Sequence, residues 1–142
     1  MRIMAVDFGD ARTGIALSDK AEYFASPICV IHEKSFGKTL SKTAELVKLH
    51  GAELVVVGFP KNMNGTLGPR AEKSQRFATE LSALTGLEVK LWDERCTTMS
   101  AAVFMNATDT RGKKRKETID AAAATIILQD YLDYLKNTKN KG

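Results

Sequence analysis

Residues 1–19 read MRIMAVDFGDARTGIALSD, and this stretch decides the fold class. Ile3 to Val6 form an unbroken apolar run, the pattern of a strand buried on both faces. A second run, Thr13 to Ser18 (TGIALS), follows a short polar connection, DFGDAR, that contains Gly9. Two such runs joined by a glycine-containing turn predict a β-hairpin. A carboxylate closes the first run at Asp7. An ionised group at the end of a buried strand has to be solvated, paired or bound to a cation, because burying it alone is costly. The position therefore points to a site.

Working outward, ASPICVIH at 25–32 reads as a third strand, and the apolar spacing of Leu40, Ala44 and Val47 predicts a helix from about Lys38 to His50 that Gly51 stops. ELVVVGF reads as a fully buried strand of the kind parallel sheets use. The polar stretch PKNMNGTLGPRAEKS leads through Pro69 into a helix carrying Phe77, Leu81 and Leu84, which ends at Gly86. EVKLWDE is the last strand, TTMSAAVFM predicts a short helix capped by Thr97 or Thr98, and Thr118 is expected to cap the final helix IDAAAATIILQDYLDYL. Three antiparallel strands followed by helix, strand, helix, strand and helices describe a mixed α/β fold: a five-stranded sheet with helices on both faces. A chain of 142 residues makes one domain, expected over 1–136 and followed by a basic tail at 137–142.

Hydrophobic residues make up 44% of the chain and charged ones 27%, which excludes wholesale disorder. No apolar run approaches the ~20 residues of a membrane span, and no signal-peptide pattern opens the sequence, so the expected location is the cytoplasm and no membrane partner is expected. Cys29 and Cys96 match no metal or redox spacing and read as reduced structural thiols. With only His32 and His50 besides, a zinc site is not expected.

The net charge of +4 is unevenly placed. Arg111, Lys113, Lys114, Arg115 and Lys116 form one basic block, and Lys136, Lys139 and Lys141 lie at the end; the other 13 cations face 17 acids. A local basic block on a mildly acidic body suits a polyanion, and nucleic acid is the commonest one. The alternative for the block is a solvated linker.

Ligand sites in such sheets gather at the carboxyl ends of the parallel strands. Asp7 closes IMAV, Asp93-Glu94 follows VKLW, and Asp120 sits early in the Ala-rich helix. Taken singly, each has an ordinary structural explanation: a turn cap, a surface ion pair with Arg95, and a favourable place in the helix dipole. Together, carboxylates from three separate elements can hold two hard divalent cations about 3.5–4 Å apart, the arrangement that supports in-line phosphoryl displacement. Ala121 to Ala124 are small enough to let the last helix approach the sheet, although Ala also simply favours helix. Side chains alternate along a strand, so only one of Asp93 and Glu94 is expected to face Asp7, and alternation alone leaves that choice open.

These residues carry a resemblance. DFGDARTGIALSD, VVGFPKNMNGTLGPRAEKSQRFA, WDERCTT and KKRKETIDAAAATIIL resemble the YqgF (RuvX) family of RNase H-like nucleases over almost the whole chain. The resemblance implies an RNase H-like domain and a metal-dependent endonuclease that matures the 5′ end of precursor 16S rRNA, with resolution of four-way Holliday junctions as an alternative. It implies Asp7, Glu94 and Asp120 as the catalytic residues and metal ligands, with Mg²⁺ or Mn²⁺, two ions, as cofactor. RuvC-type resolvases carry an acid at the end of the central strand, whereas here that strand ends Gly58-Phe59-Pro60, so the second carboxylate is expected from the next strand.

The donors expected to bind substrate phosphates are Arg12, Asn62, Asn64, Arg70, Arg95, Lys113, Lys114 and Arg115. Three other readings remain beside the nuclease. One is a non-catalytic RNA-binding module on the same fold. Another is an ATPase, because DFGDARTG also resembles the phosphate loop of actin-like and Hsp70-like proteins, although this chain has no second domain to close over a nucleotide. The third, junction resolution, requires a two-fold dimer, and no interface is legible in the sequence.

Overall fold

The computed structural model describes residues 1–22, 24–59, 68–93 and 113–141. The hairpin is present: β1 (Ile3–Asp7) and β2 (Arg12–Ser18) pair antiparallel, with Asp7 opposite Gly14. β3 (Ala25–His32) continues the antiparallel half. Its pairing with β2 slips between Ile15 and Ala16, and Pro27, which has no N–H to donate, lies in this edge strand.

β4 (Leu54–Phe59) runs parallel to β1, and β5 (Val89–Asp93) parallel to β4, giving the sheet order β3-β2-β1-β4-β5. Each parallel connection carries a helix. α1 (Phe36–His50) begins at Ser35, whose Oγ accepts the Lys38 N–H, and ends at Gly51, whose φ of 65° is open to glycine and strained for other residues. α2 (Pro69–Thr85) starts with Pro69 in its first turn and ends at Gly86.

Strand alternation splits the core into two layers. Met4, Val6, Val55 and Val57 face α1 and α2, where they meet Leu40, Val47, Phe77 and Leu81. Ile3, Ala5, Leu54 and Val56 face the C-terminal helix α3 (Lys113–Lys141), where they meet Ala124, Ile127, Leu128 and Leu132. Helices therefore cover both faces, as the sequence predicts. Ala121 and Ala124 are buried, and Ala124 packs with Ile3 and Ala5.

One expectation is corrected. Thr118 does not cap the last helix, which already includes Lys113 and runs on to Lys141. Lys, Arg and Glu are good helix formers, so the basic block extends the helix upstream and residues 137–141 extend it downstream. Lys113 to Lys116 are thus helical and not a linker, as are the terminal lysines, and Arg111 lies outside the described residues. The short helix expected at TTMSAAVFM lies outside the described residues. Among the described residues no helix is long and apolar enough to cross a membrane. Cys29 is a free, half-buried thiol, and burial pushes its pKa up.

Candidate active site

Asp7 is the last residue of β1, and its carboxylate remains 19% exposed. Alternation continues the Ile3–Ala5 row, which puts Asp7 on the α3 side of the sheet. The registers place Gly14 beside it on β2, and Gly58, one residue past the Val6–Val57 pair, beside it on β4; Gly58 in turn pairs with Trp92 of β5. With glycine on both flanking strands, no side chain crowds the carboxylate from within its own row.

The next residue fixes the strand end. Phe8 is buried on the opposite face, stacked on Phe77 of α2 at 4.7 Å between ring centroids and edge-on to Phe36 of α1 at 5.6 Å. Gly9 then turns the chain. A Cβ at this position would run into the carbonyl oxygen of Arg12, so only glycine lets the hairpin close this tightly. Thr13, fully buried, donates its hydroxyl to the Gly9 carbonyl. An aromatic anchor on one side and a tight turn on the other hold Asp7 in place.

Arg70, in the first turn of α2, brings Nη2 to 3.9 Å from Asp7 Oδ1 with its own side chain 64% exposed. This expected phosphate donor therefore does stand beside the acid. Arg12 opens β2 just across the turn and is exposed. Lys113, Lys114, Arg115 and Asp120 belong to α3 by backbone. Asn62, Asn64, Glu94 and Arg95 lie outside the described residues, Glu94 directly after the end of β5. Among the described residues no three His, Cys, Asp or Glu side chains converge, as expected when only one carboxylate of the three is described. What is described suits a hard cation in its donor type, an oxygen donor at a strand end with space in its row, while the neighbouring Arg70 guanidinium competes with a metal for the carboxylate.

Behind the hairpin turn lies a group the sequence reading did not single out. Lys73 Nζ is 2.9 Å from Asp10 Oδ1, and the ammonium holds the Asp10 carboxyl below the ordinary carboxylate range, first through this hydrogen bond and then through its charge. Arg76 lies over the Phe36 ring at 5.1 Å. The signal was present as Arg70, Lys73 and Arg76 at three-residue spacing, which keeps cations on one side of a helix.

On the opposite edge, Trp92 packs edge-on to Tyr131 at 5.5 Å and against Tyr134 at the same distance, tying β5 to α3. These rings close the sheet edge two strands from Asp7.

Comparison with known proteins gives a consistent picture. Residues 1–134 match the family described as RuvX, Holliday junction resolvase. A Bacillus subtilis protein carrying the name pre-16S rRNA nuclease is 47% identical over 137 residues, covering 95% of this chain and 99% of the relative. A Carboxydothermus hydrogenoformans protein of the same name is 43% identical, covering 94% and 97%. Among solved structures, Thermus thermophilus RuvC in complex with a Holliday junction substrate superposes with a TM-score of 0.67 at 13% identity, covering 97% of each chain. The fowlpox virus resolvase bound to Holliday junction DNA gives 0.61 at 14% identity, covering 95% of this chain and 99% of that one. At such identities the likeness establishes the fold, that of the RNase H-like resolvases.

Proposed function

The chain belongs to the RuvX family, and we propose that it is a metal-dependent endonuclease that processes the 5′ end of precursor 16S rRNA. Nuclease action and nucleic-acid binding follow from the family. Precursor 16S rRNA as substrate is supported by the name its relatives carry over nearly full length. The observation that carries the chemistry is Asp7: an accessible carboxylate at the carboxyl end of β1, flanked in register by glycines and faced by Arg70.

Divalent-metal dependence is general to this fold. We read Asp7, Glu94 and Asp120 as the ligands of Mg²⁺ or Mn²⁺, two ions in the full site. Two features of the described chain support that set. Lys90 and Trp92 share the α3 side of β5, and the next position in that alternation is 94. Position 120 precedes buried Ala124 by four residues, one helical turn, on the helix that packs against β1. The chemistry such cations supply when bound is activation of water and stabilisation of the leaving oxygen.

The chain's own residues do the rest. Carboxylates from three elements hold the reacting phosphate's surroundings in a fixed geometry, and Arg70 offers a two-pronged donor to a phosphate oxygen at the mouth of the site. Arg12, Asn62, Asn64 and Arg95 act as further phosphate donors, and Lys113, Lys114 and Arg115 hold the backbone farther out.

A second reading, cutting of four-way DNA, is favoured by the family description and the shared resolvase fold. Parallel cleavage assays on precursor 16S rRNA and on a four-way DNA junction, with Mg²⁺, Mn²⁺ or chelator, decide between them. Metal-dependent cutting of the RNA at a single 5′ position is the expected result. Symmetric junction cutting with the RNA intact reverses the order, and binding without cutting of either leaves an RNA-binding module.

A further inference from the structure

Between the β1–β2 turn, the connection from β3 to α1, and α2 lies a cavity of about 140 Å³. Its charged walls are Lys34, Lys73, Arg76 and Asp10, over a floor formed by Phe8 and Phe36. Three cations meet one acid there, and that acid is matched to Lys73 at 2.9 Å. Arg76 is held by its stacking over Phe36 and by Glu80, whose Oε2 lies 3.3 Å from Nε. The Lys34 ammonium has no side-chain partner among the described residues. A concave, net-positive pocket with an apolar floor is built for a compact anion.

Its place in the fold identifies that anion. Phe8 and Asp10 line the cavity, and Asp7 immediately precedes them in the chain; three residues span at most about 10 Å, no more than a few phosphates along one strand. Asp7 faces the α3 side of the sheet, whereas the cavity opens on the α1 and α2 side. Arg70, Lys73 and Arg76 form a row along α2 that leads from one to the other. A strand crossing the carboxyl edge of the sheet with one phosphate at Asp7 brings a neighbouring phosphate to this pocket.

We propose that the cavity walled by Lys34, Lys73 and Arg76 binds a phosphate of the cleaved RNA strand a few nucleotides from the one at Asp7, and so sets the distance from a fixed backbone point to the cut. The proposal rests on the reading of the chain as an RNA nuclease. It assigns a binding role to three side chains outside the three-carboxylate site.

The test uses the full chain with Asp7→Asn to silence cleavage, and a precursor 16S rRNA fragment spanning the 5′ processing site. Dissociation constants are measured across a salt series for this parent and for the same chain with Lys34→Gln and Arg76→Gln. The double variant is expected to bind about ten-fold more weakly at low salt, with a salt slope shallower by about one to two. Single methylphosphonate replacements along the RNA then locate the contact: one neutralised phosphate is expected to weaken the parent and leave the double variant unaffected. Lys34→Arg with Arg76→Lys is expected to restore the slope. An unchanged slope and no coupled phosphate in the double variant overturn the cavity proposal alone. Failure of the parent to bind the RNA at all overturns it together with the functional reading beneath it.

Discussion

Arg70 Nη2 stands 3.9 Å from Asp7 Oδ1, a cation held against the carboxylate proposed to hold a metal. Arg70 is 64% exposed, so the pair is screened by water and contributes no more than about 1 kcal/mol. Its importance is therefore electrostatic bias at the site. Replacing Arg70 with Gln is expected to move two affinities in opposite directions: Mn²⁺ binds about two- to five-fold more tightly once the competing cation is gone, while RNA binds more weakly with a salt slope reduced by about one. Calorimetric titration of Mn²⁺ beside RNA binding across a salt series checks both signs, and a parallel loss of both affinities contradicts the assignment.

Asp7→Asn is expected to reduce single-turnover cleavage by about three orders of magnitude or more. Its effect on unfolding free energy should stay within about 1 kcal/mol, because its ion pair with Arg70 is an exposed one. A folded Asp7→Asn chain with full activity removes Asp7 from the site.

The strand that ends at Asp93 carries Lys90 and Trp92 on the α3 side, the side of Asp7, and Glu94 is the proposed ligand of the two acids that follow Trp92. Glu94→Gln is therefore expected to abolish cleavage and weaken Mn²⁺ binding, with Asp93→Asn giving a smaller loss. Single-turnover rates and metal affinity for both variants decide it: an inactive Asp93→Asn beside an active Glu94→Gln reverses the assignment.

Gly9→Ala tests the turn that positions Asp7. The added Cβ meets the Arg12 carbonyl oxygen, part of the backbone of the paired strand, which cannot move aside as a flexible side-chain end would. A destabilisation of about 1–3 kcal/mol is expected in denaturant unfolding, together with a loss of activity in the folded fraction. A variant as stable and active as the parent shows that the hairpin tolerates a wider turn.

The Asp10–Lys73 pair carries a pH signature. Lys73 lowers the Asp10 pKa in the folded chain, so the stabilisation it provides is present above the unfolded-state value of about 3.9 and is lost as pH falls through the lowered native value. NMR titration of the Asp10 carboxyl is expected to show a midpoint below the usual carboxylate range that returns toward it in Lys73→Gln. An unchanged midpoint in that variant shows that the pair does not persist in solution.

The sequence by itself determined the elements and the first acid. The unbroken apolar runs at Ile3–Val6 and Leu54–Val57 can only be strands covered on both faces, and Gly51, Pro69 and Gly86 mark helix ends through local backbone preferences. Asp7 was legible for the same reason: a charge closing a buried strand demands a partner. The start of α3 was not, because Thr118 satisfies a local capping rule that the helix-forming residues before it override. Only the tertiary structure decided which groups meet. Register between β1, β4 and β5 sets glycine beside Asp7, and the packing of α2 against the sheet brings Arg70 to Asp7 and Lys73 to Asp10 across 63 residues of chain in each case. Such contacts depend on how helices and strands are stacked in space, and local spacing along the chain carries no record of that stacking.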